Sequence, residues 1–192
     1  DNKTWLSSKG YINFFNKFLI KNAKLTSKSK ILDIGCGRGK ILGDLLSKLK
    51  LKFKPVGLDI ENHKNKDKRI LFKKIDGVKF LTKNKDSYDL ILIKQTIHLL
   101  RISQIQKLIR ICKEHLSPNG NIFVLTLDYN NNEIPSFRLM NNKLQKSFKR
   151  DKKILNMLQN DNNNSKIKKF IYIVQISKQK YLQMILSRYI ST

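Results

Sequence analysis

Three glycines at alternate positions, Gly35, Gly37 and Gly39, follow the apolar run in ILDIGCGRGK, and three aspartates stand near the ends of apolar runs: Asp33 in that segment, Asp59 in KPVGLDI and Asp76 in KKIDG. Glycines spaced in this way let the backbone turn sharply and approach a bound group, and a phosphate on a helix N-terminus is the first ligand to test. A nucleotide P-loop fails, because Ile34 stands where its first glycine belongs and Ile41 where its Ser or Thr belongs. A dinucleotide fingerprint asks for G-x-G-x-x-G, whereas the spacing here is G-x-G-x-G. Asp33, two residues before the loop, would repel a pyrophosphate and attract an ammonium group.

A nucleoside that carries a cation meets these demands, and S-adenosylmethionine supplies adenosine, an α-ammonium and a sulfonium without any phosphate. Asp59, ending the second apolar run, can accept hydrogen bonds from both ribose hydroxyls. Asp76 can take the adenine amino group, with Gly77 leaving room for the ring. Gly35, Cys36 and Gly37 of the loop and Ile60 beside Asp59 complete this cofactor set, and Lys94 and Gln95 line the cleft from the fourth strand. His98 follows near the point where the methyl group would emerge. It is either a general base, with an unperturbed pKa of about 6.5, or a residue that only shapes the pocket. Methyl transfer needs no base when nucleophile, methyl carbon and sulfur are held in line.

The elements that must position these residues are legible from periodicity. Tyr11 to Asn22 places Phe14, Phe15, Phe18 and Leu19 on one helical face. Strands are expected at Lys30–Ile34, Lys54–Ile60, Arg69–Asp76 and Tyr88–Lys94, and a helix after the glycines carries Ile41, Leu42, Leu45, Leu46 and Leu49. Ile102 to Leu116 forms another helix with Ile105, Leu108, Ile109 and Cys112 on one side, and SPNG stops it before the strand NIFVLTLD. Alternating strands and helices predict an α/β, Rossmann-like, mainly parallel sheet with helices on both faces. Beyond Asp128 come polar segments, a Lys-rich helix around Lys143–Leu158, a strand in KKFIYIVQIS and a final helix capped by Ser177.

In order along the chain, ILDIGCGRG, VGLDI, KKIDG, YDLILIKQTIHLL and LSPNGNIFVLTL resemble the successive motifs of class I S-adenosylmethionine-dependent methyltransferases. The resemblance covers Lys30 to Asp128, and QTIHLL and the tail ISKQKYLQMILSRYIS are similar to the small-molecule, trans-aconitate-type (type 11) branch. It implies methyl transfer from S-adenosylmethionine to a small-molecule acceptor by a single domain over residues 1–192. Residues 1–29 would form an N-terminal helical segment, 30–128 the cofactor core, and 129–192 an acceptor-side lid and last helix. Phe137, Arg138, Arg188 and Tyr189 are the expected acceptor-binding residues, suited to a small anionic molecule. Two features depart from the family. ENHKNKDKR after Asp59 is short and charged, and the family's final antiparallel hairpin has no counterpart up to Thr192, so either the chain stops early or that hairpin is lacking or altered.

The formal charge of +26, from 40 Lys and Arg against 14 Asp and Glu, makes a nucleic-acid methyltransferase the alternative reading. The lysines are scattered evenly, however, and KQTI replaces the [DN]-P-P-[FY] grip on a flipped base. A non-catalytic module that keeps the cofactor pocket is a third reading. Two cysteines, Cys36 and Cys112, are too few for a disulfide framework, and neither His63 nor His115 has neighbours that suggest a metal. No apolar run reaches the roughly 20 residues of a membrane helix and no signal-like start is present, so a cytoplasmic location without membrane partners is expected. The sequence leaves the oligomeric state open.

Overall fold

The computed structural model describes residues 8–126, 128, 138–160 and 165–186. The chain divides into two compact units, Ile12–Thr126 and a second formed by Asp1–Tyr11 with Leu127–Thr192.

The larger unit is built on five strands: β1 (Ile31–Ile34), β2 (Val56–Asp59), β3 (Leu71–Lys74), β4 (Tyr88–Lys94) and β5 (Leu116–Leu125). They lie in the order β3-β2-β1-β4-β5, and every pairing is parallel. Leu90, Ile91, Leu92 and Ile93 of β4 are all fully buried. Successive residues of a strand face opposite sides, so both faces of the sheet are covered. The covering helices have the expected apolar stripes. Leu42 and Leu45 are buried on α2 (Lys40–Leu49), and Ile105, Leu108, Ile109 and Cys112 on α4 (Ile102–Glu114). α1 (Lys9–Ala23) is tied to α2 through Asn16, whose side-chain amide donates to Ile41 O and to Asp44 Oδ2.

Two elements differ from the sequence expectation. A short helix, α3 (Gly77–Lys83), follows β3 because Asp76 caps it, its Oδ1 accepting from the backbone N–H of Lys79 at 3.0 Å. β5 also begins at Leu116 rather than Asn121. Tyr88 faces Leu116 while Leu90 faces Asn121, so SPNG is accommodated as an irregularity in the ladder instead of a turn ahead of it. Gly120 permits this, since a Cβ there would come within 2.6 Å of Tyr88 O.

In the second unit α5 spans Arg138–Asn160, longer at both ends than the expected helix. α6 (Lys178–Leu186) is capped as expected, the Lys180 N–H donating to Ser177 Oγ at 3.2 Å. The strand expected in KKFIYIVQIS is corrected: residues 165–177 form neither helix nor strand. The alternation itself is real, with Ile171 and Ile173 exposed and Phe170 and Tyr172 half-buried between them. Period two marks an extended chain, but a ladder also needs a partner strand. Here Phe170 and Tyr172 instead pack edge-on against the ring of Tyr11, at centroid distances of 5.9 and 5.3 Å. No helix of the described residues is long and apolar enough to cross a membrane.

Candidate active site

β2 and β3 extend the sheet to one side of β1, and β4 and β5 extend it to the other. Chain order therefore reverses between β1 and β4, and the carboxyl ends of open parallel sheets bind ligands at such a crevice. Asp33 lies on one wall, in register with Leu92 of β4 and Gly57 of β2. It is 2% exposed, and its Oδ1 has no hydrogen-bond partner. Burial pushes its carboxyl up to about 7, with Lys94 pulling it down and Asp59 adding to the rise. Lys94, at the end of β4, is held below the usual lysine range by burial, which Asp33 partly offsets.

The loop after Asp33 depends on backbone conformations that only glycine adopts readily. Gly35, Gly37 and Gly39 have φ of 80°, 55° and 71°. The N–H groups of Gly35 and Cys36 both donate to Leu58 O, at 2.8 and 2.9 Å, which anchors the loop on β2. Gly37 has open space where a Cβ would stand, nothing lying within 4 Å. Cys36 is half-buried against Gly57, where a Cβ would approach its sulfur to 2.7 Å. Burial and the charges of Asp33 and Asp59 push its thiol up, so it stays protonated and unreactive.

Asp59 ends β2 and organises the loop directly. Its Oδ2 accepts from Gly37 N–H at 2.8 Å and its Oδ1 from Glu61 N–H at 2.9 Å, while His63 Nε2 stands 3.3 Å from Oδ2. Ile60 beside it is exposed. Asp76, as the cap of α3, has one oxygen engaged, and the volume beside Gly77 is taken by Ile34, whose Cγ2 would lie 2.7 Å from a Cβ there. Gln95 adopts φ 51°, rare for a residue with a side chain, and its N–H donates to Leu125 O at 3.0 Å. His98 is exposed on a one-turn 3-10 helix, Ile97–Leu99. Arg138 is exposed at the start of α5, and Phe137, Arg188 and Tyr189 lie outside the described residues.

Sequence reasoning missed two contributors. Thr96 joins the ends of β1 and β4, its hydroxyl lying near the carbonyls of Ile34 and Lys94. Asp67 and Arg69 clip the β2–β3 connection to the loop and to α2. Asp67 N–H donates to Arg38 O at 2.8 Å and the Arg69 guanidinium donates to Asp67 and to Ser47 Oγ; the Arg69 hydrogen bonds to the Asp67 carboxyl hold it below the usual carboxylate range. The available signal was an Asp-x-Arg pair in an otherwise lysine-rich stretch. Among the described residues no cluster of His, Cys, Asp and Glu could hold a metal ion.

The crevice thus offers a buried carboxylate with an unused acceptor oxygen, a glycine loop with open space, and a second carboxylate at the next strand end. That set fits the ammonium, backbone-facing and ribose portions of S-adenosylmethionine. A model described as a methyltransferase domain matches residues 9–170, and the chain belongs to that family. With its parallel Rossmann-like sheet, it is a class I S-adenosylmethionine-dependent methyltransferase domain.

Among solved structures, a protein of Pyrococcus horikoshii OT3 is 20% identical over 64% of this chain and 61% of its own, with a TM-score of 0.50. The plantazolicin methyltransferase BpumL, in complex with a monoazolic desmethyl analogue and S-adenosylhomocysteine, is 21% identical over 78% of this chain and 62% of its own, with a TM-score of 0.52. At such identities the likeness is one of fold, and the match spans about three fifths of either protein's length. No curated protein matches the chain.

Proposed function

We propose that this chain transfers a methyl group from S-adenosylmethionine to a small, anionic acceptor. The observation that carries the reading is the buried, unsatisfied oxygen of Asp33 beside the open glycine loop at the switch point. A buried acceptor without a donor is costly in the folded protein, and an arriving ammonium group relieves that cost. When bound, S-adenosylmethionine supplies a methyl group on a sulfonium that is already a good leaving group.

The chain's own residues bind and orient. Asp33 holds the ammonium, Asp59 the ribose with Gly37 fixed against it, and Asp76 offers its remaining oxygen to the adenine edge with Ile60 at its side. Gly35 and Cys36 supply backbone close to the cofactor. Lys94 and Gln95 close the cleft from β4, where Lys94 also provides a cation suited to an anionic acceptor. His98 shapes the acceptor entrance, and Phe137, Arg138, Arg188 and Tyr189 are the residues assigned to acceptor binding. The small-molecule reading is supported by the acceptor analogue bound to the plantazolicin enzyme. The charge of +26 favours a polyanionic acceptor instead.

Calorimetry with S-adenosylhomocysteine, followed by labelled methyl transfer to a panel of small carboxylates and to RNA, tests the proposal. Binding together with transfer to a small molecule supports it. Transfer to RNA that weakens steeply with salt reassigns the acceptor, and absence of binding overturns the reading.

A further inference from the structure

At the switch point one side chain spans the gap between the two diverging strands. Thr96 Oγ1 lies 3.3 Å from the carbonyl oxygen of Ile34, the last residue of β1, and 3.1 Å from that of Lys94, the last residue of β4. A hydroxyl has one proton to donate, so the two carbonyls share it. The same side chain occupies the volume left by Gly35. A Cβ at Gly35 would collide with Thr96 Oγ1 and come within 2.9 Å of its Cβ and Cγ2. The residue before Thr96 is the left-handed Gln95, and the residue after Ile34 is the left-handed Gly35. Two unusual backbone turns therefore meet at this single threonine.

We propose that Thr96 is a positioning residue for the cofactor site. Its hydroxyl ties the end of β1 to the end of β4, and its methyl-bearing carbon wedges against Gly35. This fixes the spacing between the strand ends that carry Asp33 and Lys94, and it holds the glycine turn in the one arrangement compatible with the Gly35 and Cys36 bonds to Leu58 O. Gly35 and Thr96 act as an interlocked pair: the left-handed turn calls for glycine, and the threonine fills the space that a Cβ there would need. The proposal rests on the S-adenosylmethionine reading for its link to binding, whereas its structural half does not.

The test separates hydroxyl from shape. Thr96→Val keeps the volume and removes the hydrogen bond; Thr96→Ser keeps the hydroxyl. Amide hydrogen exchange at Gly35 and Cys36 is measured without cofactor, and S-adenosylhomocysteine affinity and melting temperature are measured alongside. Thr96→Val is expected to speed exchange at both amides, to lower the melting temperature by about 2–4 °C, the scale of one lost hydrogen bond in the unliganded fold, and to weaken binding about tenfold as the loop loosens. Thr96→Ser should stay close to wild type. Should the valine variant fail to fold, Thr96→Ala against Thr96→Ser reads the same contrast. Equal exchange and affinity in wild type and Thr96→Val, or an equal loss in the serine variant, overturns the proposal. If wild type itself does not bind S-adenosylhomocysteine, the functional reading fails, and the exchange measurement still decides the role of Thr96.

Discussion

The backbone N–H of Gly37 donates to Oδ2 of Asp59 across 2.8 Å, so the carboxylate at the end of β2 holds the glycine loop before any ligand arrives. The same carboxylate is the proposed ribose acceptor, and its loss should therefore act twice. Asp59→Ala is expected to weaken S-adenosylhomocysteine binding by about 1.5–3 kcal/mol, the worth of a charge-assisted hydrogen bond, with a further loss from loop disorder. Asp59→Asn can still accept from Gly37 and should fall between wild type and alanine. Calorimetry on the three proteins checks the order; an alanine variant that binds as tightly as wild type contradicts it.

Asp33 gives the site a pH dependence whose sign is fixed by burial. Its carboxyl is raised to about 7 in the folded protein, from 3.8 for the free side chain. The stability this contributes is fully present below the unfolded value and is lost as pH rises through about 7. Binding an ammonium group requires the ionised form, so cofactor affinity moves the opposite way. Affinity should drop roughly tenfold between about pH 8 and pH 6, with a proton released on binding near neutrality. Asp33→Asn should bind weakly at every pH and flatten the profile. Calorimetry in buffers of different ionisation enthalpy measures both quantities.

Much of this arrangement could be read from the chain alone, and the reason is locality. β4 was bounded correctly at Tyr88 and Lys94 because a continuous apolar run is buried on both faces, and the glycines declared the loop because left-handed φ values exclude most other residues. What escaped were features that depend on distant partners. Nothing near Thr96 in sequence announces that its hydroxyl meets Ile34, and nothing in KKFIYIVQIS reveals that Tyr11, rather than a strand, receives its alternate side chains. α3 was missed for a different reason. Asp76-Gly77 reads equally as a turn, and only the Lys79 N–H bond shows that the aspartate starts a helix.

The Asp67–Arg69 clip predicts that the loop can be loosened from outside the cofactor site. Asp67 is held below its usual pKa by Arg69, so the stability it contributes is present near neutrality and is lost as pH falls through its lowered value. Asp67→Ala should lower the melting temperature, and removing the Asp67 N–H contact with Arg38 O is not involved because the backbone remains. Gly43→Ala attacks the same clip from α2, since a Cβ there would collide with the Asp67 carboxylate. That substitution improves helix propensity by about 1 kcal/mol yet is expected to destabilise. Thermal melts of Gly43→Ala and of the double variant Gly43→Ala with Asp67→Ala decide the matter: the double variant should recover part of what the single one loses.

His98 stands exposed on a single 3-10 turn just beyond β4, while Lys94, four residues earlier, is half-buried beside Asp33. An exposed position on a single turn suits a residue that borders the acceptor entrance better than a general base, which works best in a site closed to water. His98→Asn is accordingly expected to leave S-adenosylhomocysteine affinity unchanged and to lower kcat less than about tenfold, with the pH profile still set by Asp33. Lys94→Met should behave differently, because it removes both the counter-charge of Asp33 and the cation proposed for the acceptor. Cofactor affinity near pH 7 should fall as the Asp33 carboxyl rises further, and KM for an anionic acceptor should rise more than for a neutral one. A loss of about a hundredfold or more in kcat for His98→Asn, at unchanged cofactor affinity and with one limb of the pH profile gone, would make His98 the general base and assign the entrance to other residues.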